Sequence, residues 1–149
     1  MLTLFPQSSW TGAIDTWPNG GEIDIIEGVN LQTNNEVVLH TGRKCSMASD
    51  NDRMTGVPGS PDCGNANGCI VKDSSSGSYG AGFNKDGGGV YAMEWTNTSI
   101  KVWWWARESM PEDIRTGRPS PQGWPDPLAS FNNSGCEIGK LFKAHQIVR

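Results

Sequence analysis

An all-β fold is predicted by three features of the sequence. The apolar stretches are short and alternate with polar residues, glycine and proline interrupt them densely, and no amphipathic run is long enough to read as a helix of convincing length. The 19 Gly and 9 Pro among 149 residues follow no period, which excludes a collagen-like chain and implies many tight turns between strands. The length suits one domain. The apolar fraction of 36% is low, but 7 Trp and 4 Phe concentrate it in large side chains.

Taken in order, Ile23-Asp24-Ile25 and Glu36-Val37-Val38-Leu39-His40 read as strands with one wet face. Residues 43–88 are dense in Gly, Ser, Asn and Asp and read as a long loop region stapled by cysteines. Val90–Trp95 and Ile100–Trp105 form a predicted hairpin across Thr96-Asn97-Thr98-Ser99. Alternation sends Trp103 and Trp105 to one face and Trp104 to the other, most of the triplet being core. Residues 111–136 are again Pro- and Gly-rich, a helical turn follows near Glu137–Ala144, and His145–Val148 opens a strand.

A net charge of −4 argues against nucleic acid and against anionic membrane surfaces as partners. No apolar run approaches the ~20 residues of a membrane-spanning helix. The opening MLTLFPQSSW has neither a basic stretch nor a long apolar one, so no signal peptide is expected in it. Cys45, Cys63, Cys69 and Cys136 are spaced too irregularly for zinc and permit three disulfide pairings. Together with the sequons at Asn97 and Asn132, which are candidate glycosylation sites, they fit a secretory route. The sequon at Asn97 falls on the tip of the predicted hairpin.

The chemistry concentrates in Trp17-Pro-Asn-Gly-Gly-Glu22-Ile-Asp24-Ile-Ile-Glu27-Gly28. In a regular strand Glu22 and Asp24 share a face and Glu27 points away. A β-bulge at Ile25-Ile26 returns Glu27 to the face of the other acids and gives both isoleucines to the core. Carboxylates crowded on one face repel, so at least one stays protonated beside an ionised neighbour. That division of roles serves a glycosidase, whose retaining form needs two carboxyl groups about 5–5.5 Å apart. The bland alternatives are an exposed acidic strand or a divalent-ion patch.

Gly21-Glu-Ile-Asp-Ile-Ile-Glu-Gly28 resembles the signature of glycoside hydrolase family 16, in the bulged form of fungal laminarinase-like endo-β-1,3(4)-glucanases. The likeness continues through Val38–Gly42, Gly80–Asn84, Gly88–Trp95 and His145–Val148. It implies a β-jelly-roll (concanavalin A-like) sandwich with Glu22 as nucleophile, Asp24 assisting it and Glu27 as acid/base. It implies a monomeric, extracellular or cell-wall enzyme acting on β-glucan polysaccharide, without cofactor or metal. By the same comparison residues 1–149 are a partial catalytic domain with 1–16 a poorly matched lead, expected to be poorly folded and inactive alone.

Trp17 is similar to a cleft tryptophan of that family and is the first candidate for stacking on sugar, with Trp10 a second; core packing is the alternative for each. His40 shares a face with Val38 and Glu36 and is placed to hydrogen-bond near the acids or to serve structure. His145 reads as structural, and Asp50-Asn51-Asp52, lacking EF-hand spacing, as a solvated turn. The rival functions are a non-catalytic glucan-binding protein and an inactive fragment of the hydrolase.

Overall fold

The computed structural model describes residues 17–42, 45–47 and 53–143, together with the backbone of 9–12 and 146–148. The first half of the chain gives β1 (Ser9–Gly12), β2 (Glu22–Glu27), β3 (Glu36–His40), β4 (Val57–Pro58), β5 (Cys69–Lys72) and a short helix α1 (Gly80–Lys85). The second half gives β6 (Gly89–Trp95), β7 (Ser99–Ala106), α2 (Glu112–Arg115), β8 (Ala129–Asn132), α3 (Ile138–Leu141) and β9 (Gln146–Val148). Two sheets result, in the orders β4-β5-β3-β2-β1-β9 and β6-β7-β8, and each strand pairing is antiparallel.

The sheets share one core. Ile23, Val37, Leu39 and Val71 enter it from the first sheet, and Tyr91, Ile100, Val102 and Phe131 from the second. Ile23, Leu39 and Ile100 are fully buried, and each such side chain is worth roughly 1.5–3 kcal/mol of transfer free energy. Trp104 packs against this core beside Tyr91, whereas Trp103 and Trp105 each meet the edge of Trp124 at ring-centroid distances of 5.0 Å. The triplet is therefore divided between the core and a smaller cluster beneath residues 111–127.

One expectation needs correcting. Residues 43–88 are not loop throughout, since β4, β5 and α1 lie within them and β5 pairs along β3 from Glu36↔Lys72 to Leu39↔Cys69. The Pro-rich stretch 111–136 likewise holds α2 and β8. The cysteines do staple these segments, through Cys63–Cys69 and Cys45–Cys136. The helical turn expected after residue 137 is α3, and the strand expected after it is β9, which pairs with β1. Part of the lead forms β1, so the acid-bearing strand β2 has neighbours on both sides. His145 and Asp50-Asn51-Asp52 lie outside the described residues.

Candidate active site

The acids are placed by a bulge. Along the β2–β3 pairing Glu22 faces His40, Ile23 faces Leu39 and Asp24 faces Val38, after which the register shifts and Glu27 faces Glu36. Ile25 and Ile26 thus oppose Val37 alone, two residues against one. Because His40, Val38 and Glu36 are two residues apart on β3, their partners Glu22, Asp24 and Glu27 share one face. Ile23 and Ile26 are buried in the core behind that face, with half-buried Ile25 packed against it.

Close packing holds both ends of the strand. Gly21 has φ +77° and lies against the Phe142 ring, where a Cβ would come within 2.6 Å. Gly28 meets Tyr79, whose hydroxyl donates to the Gly28 carbonyl at 3.1 Å, and a Cβ there would approach the ring to 2.8 Å.

The electrostatics of the acids are uneven. Burial, with repulsion from Glu22 and Glu27 and a hydrogen bond to Glu22, pushes the Asp24 carboxyl up to about 8. Asp24 is therefore mostly protonated at neutral pH and below, and its proton can serve Glu22. Glu27 is also raised, first by burial; among its charged neighbours His40 lowers it while Glu36 and Glu22 raise it. His40 Nε2 lies 3.4 Å from Asp24 Oδ2, without an aligned hydrogen bond. One donor atom each of Glu22, Asp24 and His40 lie within 4.8 Å of one another, a spacing that could also admit a cation.

Trp17 stands beside this group. It is 54% exposed and its ring centroid lies 6.2 Å from that of His40, tilted by 48°. It occupies the turn before β2, after which the Gly21 N–H donates to the Pro18 carbonyl. The backbone of Trp10 is the register partner of Asp24, and its side chain lies outside the described atoms. A groove of about 730 Å³ along β6, lined by residues such as Met93, Trp95 and Trp124, carries none of the three acids. Asn97 is exposed in the β6–β7 turn, and Asn132, half-buried at the end of β8, accepts hydrogen bonds from the backbone and hydroxyl of Ser134.

The profile of the XgeA-like catalytic GH16 domain matches residues 6–149. The chain belongs to glycoside hydrolase family 16. A protein of Schizosaccharomyces pombe named "Probable glycosidase" is 44% identical over 141 residues, covering 90% of this chain and 33% of that protein. An Aspergillus fumigatus protein named "Probable endo-1,3(4)-beta-glucanase" is 47% identical over 135 residues, covering 89% of this chain and 20% of that one. Among solved structures, laminarinase 16A of Phanerochaete chrysosporium, with two β-glucans in its donor and acceptor sites, superposes with a TM-score of 0.90 at 42% identity. That match covers 96% of this chain and 52% of the laminarinase. A family 16 elongating β-1,3-glucosyltransferase follows at TM-score 0.84 and 44% identity, covering 94% and 47%. The chain thus spans about half the length of these solved family 16 structures, and the superposition sets its two sheets within a jelly-roll sandwich.

Sequence reasoning missed Asn35, a wholly buried residue whose carboxamide meets both flanks of the bulge. A signal was available: a bulge exposes backbone groups that something must satisfy, and Asn35 directly precedes the strand that pairs with it.

Proposed function

We propose that this family 16 chain is the acid-bearing part of a retaining endo-β-glucan hydrolase acting on β-1,3(4)-glucans. The observation that carries the reading is the bulged strand, which gathers Glu22, Asp24 and Glu27 on one face with Asp24 and Glu27 both raised. In the first step Glu27 gives its proton to the glycosidic oxygen while the Glu22 carboxylate attacks the anomeric carbon, forming a glycosyl ester and releasing the leaving chain. Protonated Asp24 donates to Glu22 and orients it. In the second step Glu27, now a carboxylate, takes a proton from water, which attacks the anomeric carbon and frees Glu22. A sugar hydroxyl replacing that water would give transfer instead.

Trp17 offers an exposed indole face for the apolar side of a glucose ring, His40 lines the same site and Trp10 is the second stacking candidate. The reaction as written draws on side chains alone. The two disulfides and the exposed sequon at Asn97 support an extracellular or cell-wall location, with Asn97 better presented for glycosylation than half-buried Asn132. The enzyme is read as a monomer whose partner is β-glucan polysaccharide.

The test is Glu22→Gln, made in the protein at the length of its relatives. Turnover of β-1,3-glucan should disappear, because no covalent ester can form, while glucan binding through Trp17 survives. Activity within a few-fold of the parent would show that Glu22 is not the nucleophile.

A further inference from the structure

Glu27, the proposed acid/base, ends β2 just past the bulge. Its Oε2 is buried and has no hydrogen-bond partner among the described residues, so nothing grips the carboxyl by that oxygen. Its position follows from the course of β2 after the bulge, where ladder pairing with β3 is interrupted. An interrupted ladder leaves backbone groups needing partners, and a buried one left unpaired is costly.

Asn35 meets that need from both sides. Its Oδ1 accepts the Glu27 N–H at 3.0 Å and its Nδ2 donates to the Ile25 carbonyl at 2.9 Å, so one carboxamide spans the bulge. Asn35 is 0% exposed and its own backbone is anchored. Its N–H donates to Ser78 Oγ at 2.9 Å, and its carbonyl accepts the Asp73 N–H at 2.9 Å. An amide is the side chain suited to this place. Aspartate could accept from Glu27 but not donate to Ile25, and an aliphatic residue could do neither.

We propose that Asn35 is a positioning residue for catalysis: its carboxamide fixes the β2 bulge and thereby aims Glu27 at the glycosidic oxygen. The proposal rests on the reading of Glu27 as acid/base. Glu22 lies before the bulge, paired with His40, and the hydrogen bonds of the Asn35 carboxamide go to Ile25 and Glu27, not to it. Loss of Asn35 should therefore impair protonation of the leaving group far more than attack by the nucleophile.

The experiment compares Asn35→Ala, Asn35→Asp and Glu27→Ala in the protein at the length of its relatives. Each is assayed on laminarin and on an aryl β-oligoglucoside whose dinitrophenolate leaves without protonation. For Asn35→Ala, kcat on laminarin should fall by about a hundredfold, the scale of a displaced general acid. On the aryl substrate the first step should stay within about tenfold of the parent, and added azide should restore part of the slow second step. Should Asn35→Ala not fold, the near-isosteric Asn35→Asp carries the same pair of assays. Equal losses on both substrates, no loss on laminarin, or failure of Asn35→Asp to fold would each overturn the proposal and leave Asn35 a residue of sheet stability or none. If Glu27→Ala itself shows no dependence on the leaving group, the reading of Glu27 fails. If it shows that dependence and the Asn35 variants do not, only the present inference fails.

Discussion

Replacing Asp24 by Asn should change how stability depends on pH. In the folded chain the Asp24 carboxyl is raised from 3.8 to about 8, mainly by burial and then by Glu22 and Glu27. A group that binds its proton more tightly when folded makes the native state lose stability as pH rises between those two values. The shift is about four units at roughly 1.4 kcal/mol each, or on the order of 5 kcal/mol over the whole range. Asp24 is only 6% exposed, so solvent screens little of this. Between pH 5 and pH 8 the parent should lose about 3–4 kcal/mol through this group, and Asp24→Asn, which cannot ionise, should lose none of it. Urea unfolding at the two pH values, with parent and variant side by side, reads the difference directly, because the contribution of Glu27 is present in both. The variant should overtake the parent as pH rises. Curves for the two proteins that stay parallel to within about 0.5 kcal/mol would refute both the protonated Asp24 and its role as donor to Glu22.

On the proposed role of Trp17 as a stacking platform, its exposed ring beside His40 would bind ground state and transition state alike, so Trp17→Ala should raise KM for laminarin with little change in kcat; a selective fall in kcat would place Trp17 nearer the chemistry. Replacing both Cys45 and Cys136 by Ser should cost about 4–5 kcal/mol, since that bridge closes a loop of 91 residues. The Cys63–Cys69 bridge, with a separation of 6, should be worth about 2 kcal/mol, and denaturant titration of the two double variants that reversed the order would show that loop closure does not set their contributions.

What the sequence made legible was whatever carried a period. The odd spacing of Glu27 from Glu22, with two isoleucines between Asp24 and Glu27, demanded a bulge, and the register of β2 on β3 has one there. Val90–Trp95 and Ile100–Trp105 were long enough to declare a hairpin, and they pair throughout as β6 and β7. Elements of four residues were lost among turn formers. Cys-Ile-Val-Lys and Ala-Ser-Phe-Asn are too short to show alternation, and they become β5 and β8 because β3 and β7 offer them edges and a core. Helix α1, Gly-Ala-Gly-Phe-Asn-Lys, has poor intrinsic propensity and is set by its surroundings, with Phe83 packed against the core. Asn35 escaped notice for another reason. Its importance lies in backbone groups ten and eight residues upstream, and composition carries no trace of a hydrogen bond.

The long bridge has a consequence for synthesis. Cys45 leaves the ribosome 91 residues before its partner Cys136, which at 5–20 residues per second is a wait of roughly 5–20 s. During that interval Cys63 and Cys69 are, among these 149 residues, the other thiols already made, and they are also each other's partners. The short bridge, once closed, removes both competitors and keeps Cys45 free for the distant one. A premature link from Cys45 to either of them would persist until thiol–disulfide exchange released it. The order in which the bridges close therefore bears on how soon Cys45 is joined to Cys136.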